Sequence, residues 1–131
     1  MEKLQIKGSW KSPHIILDPK GNFEIWGRSL PENVIDIYTP VLAWLDAYAK
    51  QPASQTNVEV KLEYFNTSSS KLLYEIFKRF ENIKQAGNNI NVKWYFESDD
   101  VDLEEEGEMF AELVDLQVEM ISVEEFEFTF Q

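Results

Sequence analysis

Two alternating runs constrain the fold of this chain more than any other feature. Val58, Val60, Leu62 and Tyr64 alternate with Glu59, Lys61 and Glu63, and Ile90, Val92, Trp94 and Phe96 keep the same two-residue period. Successive side chains of a β-strand point to opposite faces, so each run reads as a strand with one apolar face. Between them Leu72, Leu73, Ile76, Phe77, Phe80 and Ile83 recur at helical spacing, and Ala86-Gly87-Asn88-Asn89 stops that helix, with Gly87 as its left-handed C-terminal residue. Two strands joined through a helix lie parallel with a right-handed crossover. Strands buried on both faces would read as solid apolar runs instead. The alternation therefore predicts helices mainly on one face of the sheet, with the other face at least partly open.

The flanking segments extend this pattern. His14-Ile15-Ile16-Leu17 is an apolar run, and Asp18-Pro19-Lys20-Gly21-Asn22 is a turn in which proline presets one φ and glycine tolerates a positive one. Phe23, Ile25 and Gly27 alternate with Glu24 and Trp26, which completes an N-terminal β-hairpin. Pro31-Glu32-Asn33 opens a first helix, with Ser29 or Leu30 at its cap and Glu32 suited to the helix dipole. Val34, Ile37, Tyr38, Val41, Leu42, Leu45 and Tyr48 form its apolar face, and Pro40 predicts a kink or a break inside it. The acidic segment 97–108 runs into a third helix carrying Met109, Phe110, Leu113 and Val114. Residues 118–123 read as a last strand, and Phe126, Phe128 and Phe130 alternate in a tail that reads as a short strand or an ordered edge. The expectation is one α/β domain over residues 1–131, with a mixed sheet, a parallel centre and the N-terminal β-hairpin.

Charge and composition remove several function classes. The chain of 131 residues has a formal net charge of −12, which repels phosphate backbones and anionic lipid, so nucleic acid and membrane surfaces are poor partners. It has no cysteine, which removes disulfides, thiolate metal sites and cysteine nucleophiles. Met1-Glu2-Lys3-Leu4-Gln5 lacks the basic and apolar regions of a signal peptide, and no run approaches a membrane span, so a cytoplasmic location is expected.

Catalytic chemistry finds little to work with. His14, the single histidine, lies in an apolar run with no nucleophile and acid marked out beside it. There is no glycine-rich phosphate loop, and no cofactor is implied. The acids Asp99, Asp100, Asp102, Glu104, Glu105, Glu106 and Glu108 invite a metal test, but the calcium-loop template fails. Counted from Asp100, its sixth position is Glu105 where glycine is needed, and its twelfth is Ala111. A solvated, acid-rich helix start or a partner-binding acidic face explains the segment better. Trp10, Trp26, Trp44 and Trp94 come without the basic groove that accompanies a nucleic-acid stacking platform.

Asn66-Thr67-Ser68-Ser69-Ser70 remains. One such residue suffices to cap a helix, yet here five polar residues stand together and four carry hydroxyls. They sit at the carboxyl end of a central strand, where ligands collect in open α/β sheets, and at a helix N-terminus, which favours added negative charge. A phosphate there would bring about −1.5 to −2 charges. The residues alone leave two readings open, a cap and a cap that is also a regulatory hydroxyl.

Tyr64-Phe65-Asn66-Thr67-Ser68-Ser69-Ser70-Lys71 resembles the signature of the SiaC-type regulatory phosphoproteins, a bacterial family. Gly27-Arg28-Ser29-Leu30-Pro31-Glu32-Asn33 resembles that family's second motif. Trp94-Tyr95-Phe96, followed by Asp99-Asp100-Val101-Asp102 and Glu106-Gly107-Glu108, resembles its third. The family's fold is similar to that of the anti-sigma-factor antagonists, the STAS-like domains. The resemblance implies a non-enzymatic switch phosphorylated at Thr67, with Ser68 and Ser69 as neighbouring alternatives. It implies a dedicated serine/threonine kinase of the histidine-kinase-like ATPase type and a metal-dependent phosphatase. It further implies that the unphosphorylated form binds and activates a partner such as a diguanylate cyclase, raising cyclic-di-GMP. Partner contacts would fall on Arg28, Glu32, Asn33, Asn66, Thr67, Ser68, Ser69 and Lys71. The competing reading is a constitutive interaction module that uses the acidic segment 97–108.

Overall fold

The structure is a computed structural model and describes residues 1–128. Six strands form one sheet in sequence order: β1 (Leu4–Ile6), β2 (His14–Asp18), β3 (Asn22–Ser29), β4 (Gln55–Phe65), β5 (Asn89–Glu97) and β6 (Val118–Val123). β1–β2 and β2–β3 pair antiparallel, and β3 through β6 are parallel. The parallel strands are joined by α1 (Val34–Tyr48), α2 (Thr67–Gln85) and α3 (Val101–Leu113). Three right-handed crossovers stepping the same way along a sheet must put all three helices on one face. The packing agrees. Phe23 of β3 meets Trp44 and Tyr48 of α1 and Phe80 of α2, while Trp94 of β5 meets Phe77 of α2 and Phe110 of α3.

The core follows the alternation. Val58, Val60, Leu62, Val92 and Trp94 are buried on the helix side, and the intervening residues are only partly covered. α2 ends as its sequence suggests: Gly87 has φ +94°, its N–H bonds to Lys84 O, and the Asn88 N–H bonds to Ile83 O. That pair of bonds is the Schellman pattern.

Five local readings change. α1 starts at Val34 with Asn33 as its cap residue, so Ser29 is no cap: it is the last residue of β3 and is fully buried. α1 also continues through Pro40 without a break. Pro40 and Asp36 are both exposed, so water can take the carbonyl that loses its amide partner. In β4 the pairing slips after Gly27, where Gly27 faces Leu62 but Arg28 faces Tyr64. This bulge turns Tyr64 outward, 52% exposed, and puts Phe65 into the core in its place. On α3, Phe110 and Val114 point inward, whereas Met109 and Leu113 are exposed. Residues 124–128 form no strand, and Phe130 lies outside the described residues.

Candidate functional site

The carboxyl ends of β3 and β4 and the start of α2 are stitched together by buried hydroxyls. Asn66 caps α2, its Oδ1 accepting the Ser69 N–H at 2.9 Å. Thr67, Ser68 and Ser69 are therefore the first three helical residues, and their side chains meet three different environments. Ser69 is fully buried: its Oγ donates to the Ser29 carbonyl at 2.8 Å and accepts from Ser29 Oγ at 2.8 Å. With the Ser29 proton directed at Ser69, the Tyr38 hydroxyl must donate to Ser29 Oγ. Tyr38 is itself fully buried, and burial pushes its phenol up to about 12, so it stays a neutral donor. The Ser29 carbonyl also accepts the Asn66 N–H at 3.0 Å. One chain of hydrogen bonds thus runs from α1 through β3 to α2 and fixes where the first turn of α2 lies.

Thr67 and Ser68 lie outside this lattice and are exposed. Thr67 lines a groove of about 630 Å³ between the start of α2 and the flank of α3, together with Tyr64, Asn66, Ser70, Asp102, Leu103, Glu105, Glu106 and Met109. Asp100 caps α3, its Oδ1 accepting the Leu103 N–H at 3.1 Å, which sets where the three acids stand. The groove walls thus combine carboxylates with the exposed apolar surfaces of Tyr64 and Met109. An added phosphate on Thr67 would be favoured by the positive end of α2 and opposed by Asp102, Glu105 and Glu106.

The other expected contact residues divide. Ser68 and Lys71 are exposed on the first turns of α2. Glu32 and Asn33 line a separate shallow depression with Val34, Ile35 and Asp36 at the start of α1. Arg28 is bound to Glu63 on the neighbouring strand, Nη2 to Oε1 at 2.8 Å. Ser69, offered above as a phosphorylation alternative and a contact, is withdrawn from the surface by burial and its bonds to Ser29. The apolar face read for α1 includes Tyr38, which is buried, but its hydroxyl's bond to Ser29 and the burial of Ser29 escaped sequence reasoning. Ser29 shares the parity of Phe23 and Ile25, and extending the alternation to it would have placed its hydroxyl inside the core. Among the described residues no group of three or more histidines and carboxylates is placed to hold a metal ion, and no helix is long and apolar enough to cross a membrane.

Comparison with known proteins gives a consistent picture. The family model described as SiaC family regulatory phosphoprotein matches residues 6–123. An uncharacterised protein of Pseudomonas aeruginosa strain UCBPP-PA14 is 27% identical over 113 residues, covering 86% of this chain and 90% of the relative. The solved structure of SiaC of Pseudomonas aeruginosa superposes with a TM-score of 0.85 at 25% identity, over 94% of this chain and 100% of that one. A crystal structure of the diguanylate cyclase SiaD in complex with its activator SiaC, from the same species, contains a chain matching with a TM-score of 0.86 at 25% identity, over 92% of this chain and 99% of that one.

Proposed function

Because the chain belongs to the SiaC family of regulatory phosphoproteins, we propose that it is a non-enzymatic, cytoplasmic partner switch, one regulatory domain over residues 1–131, governed by phosphorylation of Thr67. In this reading a dedicated serine/threonine kinase of the histidine-kinase-like ATPase type adds the phosphate and a metal-dependent phosphatase removes it. The unmodified form binds and activates a diguanylate cyclase, as the related activator does for its own cyclase.

The observation that carries this reading is the sorting of hydroxyls at the start of α2. Ser69 is locked inside the fold, whereas Thr67 is exposed on the wall of a groove. Modification at Thr67 changes the groove without breaking the hydrogen bonds that hold the turn. The sign follows from solvation. A partner that covers Tyr64 and Met109 must exclude water from the groove. A phosphate buried there loses its hydration beside Asp102, Glu105 and Glu106, which offer it no counter-charge. Phosphorylation therefore favours the free form.

The direct test is intact mass and site mapping after incubation with the kinase. One phosphate is expected on the wild type and none on Thr67→Ala. Equal incorporation in both forms would refute the assignment. A second reading is favoured by the outer surface of α3, where Val101 is 58% exposed and Leu113 is 52% exposed among the acids. This is the constitutive module using segment 97–108. Binding that survives Thr67→Glu but is lost when those acids are neutralised would select it.

A further inference from the structure

The sheet face opposite the helices carries a continuous row of side chains across five strands. The register aligns His14 with Trp26, Trp26 with Lys61, Lys61 with Tyr95, and Tyr95 with Ile121. Residues directly opposite one another on a sheet stand within contact distance, so the row forms one strip. His14 stacks on Trp26 with ring centroids 3.9 Å apart, and Lys61 Nζ lies 4.9 Å from the centre of the Tyr95 ring. The strip is aromatic at its centre and carries a cation between its two largest rings.

The chain's own C-terminal residues lie on this strip. After β6 ends at Val123, the Phe126 N–H donates to Glu97 Oε2 at 2.9 Å, and Phe128 reaches Trp26 at 5.2 Å. Phe126 and Phe128 stack on each other at 4.9 Å. Residues 124–128 therefore cross from the edge strand over β5 and β4 to β3. They form no strand of the sheet. Nor do they fill the surface they cross: a groove of about 540 Å³, lined by Trp26, Lys61, Tyr95 and residues 125–128, stays open beside them. The family match ends at Val123, before this segment.

We propose that the open sheet face is a second docking surface, one that takes an extended protein segment with aromatic side chains at alternate positions, and that residues 124–128 are its resident competitor. The seated segment displays the chemistry that fits: Phe126 and Phe128 two residues apart, with acidic spacers Glu125 and Glu127 lining the same groove as Lys61, whose Nζ is paired with Glu59 Oε2 at 3.1 Å. A tether this short gives the resident segment an effective concentration on the order of millimolar. A partner segment displaces it only when the partner's concentration divided by its Kd exceeds the same ratio for the tethered segment. The surface is thus gated by the chain itself, independently of the groove at Thr67.

The test uses the full-length chain and the double variant Phe126→Ala/Phe128→Ala, with the indole N–H resonances of Trp26 and Trp94 followed by NMR. Trp94 is the internal control, since its Nε1 donates to Leu103 O inside the core. The variant should move Trp26 and leave Trp94 in place. A capped synthetic peptide of sequence Glu-Glu-Phe-Glu-Phe, matching residues 124–128, should then return Trp26 saturably toward its native position. The wild-type chain should respond roughly tenfold or more weakly to the same peptide, and adding Tyr95→Ala, at the far wall of the groove, to the double variant should weaken the peptide-induced shift of Trp26. Five outcomes would overturn the proposal. Two concern the substitution: Trp26 is indifferent to it, or Trp94 moves with Trp26, which would make the segment part of the core. The peptide shifts neither chain or both alike. Finally, the variant self-associates regardless of peptide, which would assign the face to a second copy of this chain.

Discussion

Replacing Ser69 by alanine separates the roles of the hydroxyls that stand side by side at the start of α2. The substitution removes a buried donor to the Ser29 carbonyl and a buried acceptor of the Ser29 hydroxyl, each at 2.8 Å. Leaving a buried polar group without its partner costs about 1–3 kcal/mol. The Ser29 carbonyl keeps the Asn66 N–H, so the loss falls mainly on the Ser29 hydroxyl, and the expected destabilisation is about 1–2 kcal/mol. Ser68→Ala removes an exposed hydroxyl from the same turn and should stay within about 0.5 kcal/mol of wild type. Urea denaturation of the two variants measures both, and the difference should appear as a lower midpoint for Ser69→Ala at an unchanged slope. In heat, about 1 kcal/mol corresponds to roughly 3–5 °C for a chain of this size. If Ser69→Ala is as stable as Ser68→Ala, the buried hydroxyl chain does not hold the turn and the sorting of sites argued above fails.

Two further predictions concern how α2 and α3 are held. An alanine Cβ at Gly107 would lie 2.6 Å from Trp94 Cδ1 and 2.8 Å from Met120 Cε, and Trp94 is fully buried with its indole bonded to Leu103. Gly107→Ala should therefore destabilise by about 1–2 kcal/mol in urea, the overpacking outweighing a gain in helix propensity of about 1 kcal/mol, whereas a more stable variant would contradict the packing. Glu81 binds the Asp115 N–H and Lys78 Nζ, and these bonds, the amide first, hold its carboxyl below the usual 4.5. A depressed carboxyl contributes stability that is present above the unfolded value and lost as pH falls through the folded one. The stability difference between wild type and Glu81→Gln should accordingly shrink on acidification below pH 4.5, and a difference that is flat with pH would refute the pairing.

The architecture was legible because two periods alternate cleanly along the chain. The alternation at 58–62 and 90–96, with a helical stripe between them, was enough to define parallel strands, a crossover and a face free of helices. What the sequence hid came from tertiary geometry. Tyr64 continues the alternation of β4, and only the bulge opposite Gly27 and Arg28 turns it out beside Thr67. Ser29 precedes Pro31 and has the chemistry of a cap, yet the strand continues through it and buries its hydroxyl under α2. The run Asn66 to Ser70 was visible as a helix start with several hydroxyls. Which of them faces solvent depends on the helical position each takes after Asn66, and on what α1 and β3 place beneath it. The acids of 97–108 were readable as a helix start, but not as one wall of a groove whose other wall is Thr67, because that contact joins segments 35 or more residues apart.

The central claim is that the phosphorylation state of Thr67 decides whether the groove accepts its partner. The most direct measurement adds the chain to the diguanylate cyclase proposed as its partner and follows cyclic-di-GMP formation, with the unmodified protein and with protein carrying stoichiometric phosphothreonine at position 67. Activation and complex formation are expected with the unmodified chain, and loss of both with the phosphorylated one. Equal activation by the two forms, or activation by the phosphorylated form alone, would contradict it.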